Sequence, residues 1–479
     1  MFQKTILKFS VLSIVAISTI CHAELFTKGR GGFSIDDPIV STSFFHWYTA
    51  DAGQKVGPWR PLEGRENWTG SVQWWKGQIK QTMLANIDVL YVHLIMEMQD
   101  QRVNLFKAYS ELRAQGYDVP QIAPFLDPMI IWLGQKADMS KPERKQELIS
   151  QYARFFDQYF SVNTDKHAAD YLAKIDGRLV LVTWHVHVNT TNLDSFSRDD
   201  LEKGLAKRFA GKYPAFNNGI YMITTRVSET TFSFVDEKAF LFELHGYHVQ
   251  SEFKGIVTAM VKPGYWDQNV RTPGYCLPRA GGVNYRSAWE QVLTSSHVHR
   301  VYIESFNEYD EGSGIYAGDP GPCYIHPGQD NDSTDRWSVS NDPFEYLKTT
   351  AAGARAFNDR VDYDATPLLH DVPSKMAAKK AYTVNVVIRN QGDLLWNNKG
   401  DVKLCQQWML SGDTVRTKFT AIDMTKDNLF YGGIYRGCPT TFKVSMVSPV
   451  KSGLYDLMIG MSRNGKYFGE TLNIKVKIN

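Results

Sequence analysis

Between residues 39 and 360 the chain alternates between short apolar runs rich in Val, Ile and aromatics and longer stretches with apolar residues at helical spacing. This alternation is the strongest constraint on the fold. A strand buried on both faces reads as a continuous apolar run, and a parallel neighbour is reached only through a crossover. The pattern predicts strands over residues 40–48, 88–96, 119–126, 178–188, 219–225, 239–245, 255–261 and 299–306. It predicts helices over 72–86, 102–115, 142–160, 198–212, 287–294 and 344–357. Eight strands with helices between them imply a (β/α)8 TIM barrel, a fold of about 250 residues that tolerates long insertions. A doubly wound sheet is the alternative, and strand count and length favour the barrel.

The pattern changes after a polar, Pro-containing linker at 361–369. Residues 382–390, 402–408, 441–447 and 455–461 alternate apolar and polar side chains between Gly, Asn and Asp turns, with no helix. That predicts an all-β sandwich over 370–479. The run Val386-Val387-Ile388-Arg389-Asn390-Gln391-Gly392-Asp393-Leu394-Leu395-Trp396 resembles the strand–turn–Trp signature of immunoglobulin-like modules appended to bacterial enzymes. The expected organisation is a signal peptide at 1–23, a barrel domain at 24–360, the linker, and an immunoglobulin-like sandwich.

Lys4 and Lys8, the apolar core 9–20 and Cys21-His22-Ala23 read as a secretory signal cleaved after Ala23. The chain is then secreted or periplasmic. The apolar core is too short to span a bilayer, and no other stretch is long and apolar enough. Lys4 and Lys8 account for the whole formal charge of +2. The remaining chain is near neutral, which argues against nucleic acid or an anionic membrane surface as the main partner. Four cysteines remain beyond the signal: Cys276, Cys323, Cys405 and Cys438. An even number in an exported chain predicts disulfides, and pairing within each domain gives Cys276–Cys323 and Cys405–Cys438. No spacing of Cys and His predicts a zinc site.

The eighth predicted strand runs into Glu304-Ser305-Phe306-Asn307-Glu308-Tyr309-Asp310-Glu311-Gly312-Ser313-Gly314. Clustered carboxylates at the C-terminal end of a barrel strand lie where such barrels keep their chemistry. Two acids flanking a sugar are the working parts of glycoside cleavage. On an extended strand, residues three apart face opposite ways, so Glu308 and Glu311 converge only if the chain turns. Gly312 and Gly314 permit that turn. A solvated acidic loop is the plain alternative.

Ser305-Phe306-Asn307-Glu308-Tyr309-Asp310-Glu311-Gly312 resembles the Ser-Phe-Asn-Glu-Trp-x-Glu-Gly segment of glycoside hydrolase family 99, whose members are (β/α)8 endo-acting α-mannosidases. Ser43-Phe44-Phe45-His46-Trp47-Tyr48 resembles that family's aromatic first strand, and Gln121-Ile122-Ala123-Pro124-Phe125 its third strand. The resemblance implies that Glu308 is a base acting on the sugar's own 2-hydroxyl. It implies that Glu311 is the general acid/base, with retention through an anhydrosugar and no cofactor. Asn307 would orient one acid or bind a hydroxyl. Ala123 stands where the family has Glu, and Tyr309-Asp310 replaces Trp-His.

Further expected carbohydrate contacts sit at predicted strand ends: His46 and Trp47, Asp127, Trp184, His185 and His187, Glu243 and His245, Trp266 as a stacking platform, and Tyr309. Barrel-lining or packing roles are the alternative for each. The chain is therefore read as an exported endo-acting glycosidase with a carbohydrate substrate. The alternative is a non-catalytic glycan-binding or surface protein on the same fold.

Overall fold

The computed structural model describes residues 31–49, 56–94, 99–128, 136–184, 186, 188–225, 231–239, 246–271, 273–295, 297–321, 335–396, 402–412, 420–422 and 433–479. Eight parallel strands build the first domain: Ile39–Phe44, Val89–Leu94, Gln121–Leu126, Arg178–Thr183, Ile220–Thr225, Glu237–Ala239, Ile256–Val261 and Arg300–Ile303. Their spatial order is seventh, eighth, first, second, third, fourth, fifth, sixth. The eighth strand closes back on the first through Ile39↔Arg300 and Val40↔Val301. An antiparallel strand, His248–Phe253, pairs with the seventh along the remaining side. Side chains bridge that side: Thr258 Oγ1 donates to Glu237 Oε1 at 3.1 Å, and Ser251 Oγ to the Lys238 carbonyl at 3.3 Å. The result is a nearly closed barrel with two antiparallel additions that the pattern did not predict, His248–Phe253 and the short Lys174–Ile175 beside the fourth strand.

Alternation along the strands divides the apolar residues into two cores. Val89, Tyr91, Phe125, Val182, Ile223 and Tyr302 point inward and pack on one another. Val40, Phe44, Leu90, Ile122, Leu181 and Val301 point outward against the helices. Both faces are buried, so these strands carry no amphipathic signal. The helices start where local chemistry satisfies their free N–H groups. Ser71 accepts from Trp74 N to cap Val72–Leu84, and Ser197 with Asp200 forms a capping box on Arg198–Phe209. Gly353 of helix Glu345–Asn358 lies against helix Val283–Thr294, where a Cβ would stand 2.3 Å from Trp289.

The C-terminal region is all-β and has two sheets. One contains Ala365–His370, Ala381–Asn390 and Pro439–Val447, and the other contains Lys375–Met376, Lys466–Ile478, Gly453–Arg463, Val402–Leu410 and Thr420–Ile422. Residues 365–369, read from sequence as linker, belong to the first strand of this module. Pro367 has no N–H to give and is tolerated because the strand is at the edge, where the register shifts between Pro367 and Leu369.

The module packs on the N-terminal ends of the barrel strands. Asp118 N donates to the Gly437 carbonyl at 2.9 Å, and Arg389 Nη1 to the Gly116 carbonyl at 3.2 Å. Asp88, at the foot of the second strand, accepts from Arg360 at 2.7 Å and from Arg436 at 3.3 Å. The module thus occupies the end of the barrel opposite the strand C-termini.

The predicted Cys405–Cys438 bridge does not form. Cys405 lies in strand Val402–Leu410 of one sheet, and Cys438 just before strand Pro439–Val447 of the other, and they face different surroundings. Cys405 Sγ is 2.9 Å from Ser462 Oγ inside the module. Cys438 is buried toward the barrel near Lys80, and burial pushes its thiol up to about 12. The other predicted bridge involves Cys323, which lies outside the described residues. Among those residues, no helix is long and apolar enough to cross a membrane.

Candidate active site

After Ile303 the eighth strand enters a folded loop. Ser305 N donates to the Ser313 carbonyl at 2.9 Å, and Ser313 N to the Glu308 carbonyl at 3.2 Å. Gly312 takes φ +57, and a Cβ there would stand 2.8 Å from the Trp59 ring. Arg279 braces the outside of the loop, donating to the Gly312 and Gly314 carbonyls at 2.9 and 2.7 Å. Its guanidinium is held between Trp59 and Trp337, at 4.7 and 4.2 Å from the ring centroids. The turn that Gly312 permits is what brings Glu308 and Glu311 to one place. The Glu311 charge acts on Glu308.

The two acids have different surroundings. Tyr48, from the end of the first strand, donates its hydroxyl to Glu308 Oε1, while Glu308 N donates to Ser305 Oγ at 2.8 Å. Burial raises the Glu308 carboxyl well above the ordinary range, and the nearby Glu311 and Asp310 carboxylates raise it further. Glu311 Oε1 instead accepts from Arg271 Nη1 at 2.8 Å. The same nitrogen reaches buried Asp267 and the Tyr265 hydroxyl, also at 2.8 Å each. Trp266 N donates to the Glu311 carbonyl at 2.8 Å, tying this second loop to the first. Arg271 and Arg279 were not anticipated from sequence, and Tyr48 was read only as part of the aromatic first strand. Their contacts join segments that share no local pattern.

Several expected ligands have other roles. Asn307 is fully buried, and its amide is spent on one backbone residue: Phe45 N donates to Oδ1 and Nδ2 donates to the Phe45 carbonyl, both at 2.8 Å. It neither orients an acid nor reaches a hydroxyl. Tyr309 points into the wall, with its hydroxyl on Gln78 Oε1 at 3.3 Å and its ring 4.2 Å from Trp68. Trp266 is fully buried, so it presents no stacking face. His46, two residues past the end of the first strand, is also fully buried. Burial, with Arg102 and His93 nearby, pulls its imidazole well below the ordinary value.

Other expectations fall at the mouth of the barrel. Trp47 is half-buried there, and Trp184 packs half-buried on Phe125. Asp127 ends the third strand two residues beyond inward-facing Phe125. Glu304 lies inside the barrel, 3.5 Å from Lys262 Nζ. His185, His187, Glu243 and His245 lie outside the described residues.

The Asn307 clamp carries a prediction. Asn307→Ala leaves the Phe45 N–H and carbonyl buried without partners, at about 1–3 kcal/mol for each unpaired group. Urea denaturation should show that loss. Stability within about 0.5 kcal/mol of the unmutated chain would contradict the clamp.

No family model matches the chain, and no curated protein matches it. Among solved structures, the chain is similar to the GH99 endo-alpha-mannosidase from Bacteroides thetaiotaomicron. The two share 15% identity over 68% of this chain and 99% of that one, with a TM-score of 0.44. A structure of that enzyme in complex with bis-tris propane gives 16% identity over 67% and 98%, with a TM-score of 0.45. The C-terminal region is similar to a CARDB domain from Pyrococcus furiosus, at 10% identity over 25% of this chain and 91% of that one, with a TM-score of 0.17.

Proposed function

We propose that this chain is an exported glycosidase that cleaves an internal bond of a glycan with retention of configuration, using Glu308 and Glu311. The observation that carries the reading is that one loop at the C-terminal mouth of the barrel holds both carboxyls near enough for the Glu311 charge to act on Glu308, each with its own partner: Tyr48 on Glu308 and Arg271 on Glu311. The pair holds one proton; with that proton on Glu311, Glu308 is the ionised carboxylate, and its raised proton affinity makes it a strong base that can take the proton of the sugar's 2-hydroxyl. The 2-oxygen then bonds to C1 as the glycosidic bond breaks, and Glu311 gives its proton to the leaving oxygen. Water opens the anhydrosugar, losing a proton to Glu311 while Glu308 returns one to the 2-oxygen. Arg271 stays paired with Asp267 while Glu311 carries its proton, so the step leaves no cation without a counter-charge.

Residues 1–23 serve in this reading as the export signal. The second reading, a glycan-binding protein without catalysis, is favoured by position 123. The family resembled has an acid there, and here a buried alanine packs inside the barrel beside Phe125.

Product release from a panel of neutral polysaccharides and oligosaccharides separates the two. The expected result is shorter saccharides whose new reducing ends keep the substrate's anomeric configuration, followed by proton NMR immediately after cleavage. The Glu308→Gln/Glu311→Gln double variant should release nothing. Equal release by that variant, or no release by the unmutated chain from any glycan it binds, defeats the enzymatic reading.

A further inference from the structure

Beside the acid pair lies an aromatic basket with one polar group that the proposed reaction does not use. His93 sits near the C-terminal end of the second strand, Val89–Leu94, on the inward register of Val89 and Tyr91. Its ring is 4.5 Å from Phe45, 5.2 Å from Trp47 and 4.2 Å from Phe125. Trp184 joins from the fourth strand, 6.2 Å from Phe125. His93 is 7% exposed, and its Nδ1 has no hydrogen-bond partner among the described residues. A buried polar atom without a partner is costly, and a ligand hydroxyl would supply the missing one.

The basket is continuous with the acids. Phe45 is the residue clamped by Asn307, next to Glu308. Trp47 lies 5.9 Å from Tyr48, which bonds Glu308. Burial pulls the His93 imidazole down to about 3, so the ring is neutral, with one nitrogen donating and the other accepting. A sugar hydroxyl can meet the 7%-exposed imidazole, and the apolar face of a sugar ring can meet the half-buried Trp47 and Trp184. A carboxylated or sulfated sugar would find a neutral ring where it needs a cation.

We propose that His93, with Trp47 and Trp184, forms a subsite for an uncharged sugar unit beside the bond to be cut, and that the His93 imidazole hydrogen-bonds a hydroxyl of that unit. The inference rests on the carbohydrate reading of the site but not on catalysis.

The test is calorimetric binding to the full chain carrying Glu311→Gln, so that no saccharide is consumed. The probes are neutral manno-, gluco- and galacto-tetrasaccharides, with tetragalacturonate as the charged counterpart. At least one neutral tetrasaccharide should bind better than tetragalacturonate. Adding His93→Phe, which keeps the ring packing, should weaken that binding at least tenfold. His93→Gln, which keeps a donor and an acceptor, should stay within about threefold. In the chain with native His93, the histidine ¹⁵N resonances should shift on adding the sugar that binds. Unchanged affinity in His93→Phe, unmoved resonances, preference for tetragalacturonate, or no binding of any probe each overturns the subsite. Binding that depends on His93, without product release by the unmutated chain, leaves the subsite standing and removes only the hydrolase reading.

Discussion

Glu308→Gln is expected to lower kcat by about 10²- to 10⁴-fold, the range supplied by a positioned general acid or base. The glutamine keeps the size of the side chain and an oxygen to accept from Tyr48, so the loss reports the missing base. The same substitution is expected to stabilise the fold at neutral pH. Burial and the Glu311 and Asp310 charges raise the Glu308 proton affinity in the native state. Below the unfolded pKa both states hold the proton, and the native state bears no penalty. As pH rises, the unfolded chain releases its proton while the native chain keeps it, so stability falls through the window up to the raised native pKa. Glu308→Gln removes that dependence. Its advantage in thermal melting should be absent near pH 4, grow through the window and level off above it. A variant that keeps wild-type kcat, or melts lower than wild type across the whole range, would refute the role given to Glu308.

Asp88→Ala is expected to cost about 3–5 kcal/mol, the range for removing one partner of a buried ion pair. Asp88 is 4% exposed, and both of its carboxyl oxygens are in use. Oδ2 accepts from Val40 N at 3.0 Å, and Oδ1 accepts from Arg360 and Arg436. Arg436 comes from the C-terminal module and is equally buried, with Asp393 at 3.5 Å as its other acid. Removing Asp88 therefore leaves one strand N–H unpaired and a buried guanidinium under-compensated at the junction of the two domains. Urea denaturation of the full chain measures the loss. Asp88→Ala/Arg436→Met should recover part of it, because the second change removes the stranded charge. A cost below about 1 kcal/mol for Asp88→Ala would mean that this cluster does not hold the module to the barrel.

Much of the barrel is legible because a doubly buried parallel strand leaves an uninterrupted apolar run. Seven of the eight predicted strands have a counterpart, offset at their ends; of the sixth, predicted over 239–245, residues 240–245 lie outside the described residues, and the strand Glu237–Ala239 meets it only at Ala239. The antiparallel strand His248–Phe253 escaped notice because it is half-exposed and polar, with Gln250, Ser251 and Glu252 in its middle. The linker was misread for a related reason: its proline and acids look like loop, and only pairing with Ala381–Asn390 makes 365–370 a strand. At the site, the acid pair was visible because the carboxylates and glycines that shape it are local. The roles of its neighbours were not. Asn307 looked like a ligand because it is polar and adjoins a catalytic candidate, yet the backbone that occupies it lies 262 residues away. Trp266 looked like a platform until packing buried it.

What the amino-acid sequence determined by itself is whatever depends on neighbours along the chain: the alternation that makes strands, the helix caps, and the Gly-permitted turn that puts Glu308 and Glu311 in one loop. What only the tertiary structure decided is each group's partner. Tyr48 reaches Glu308 because closing the barrel sets the first strand against the eighth, and Arg271 reaches Glu311 because the loop after the seventh strand folds over that turn. The same closure leaves His93 among aromatic rings and occupies Asn307. Proton affinity and availability for binding depend on burial and on charges a few ångströms away, and contacts between distant segments leave no local pattern in the order of residues.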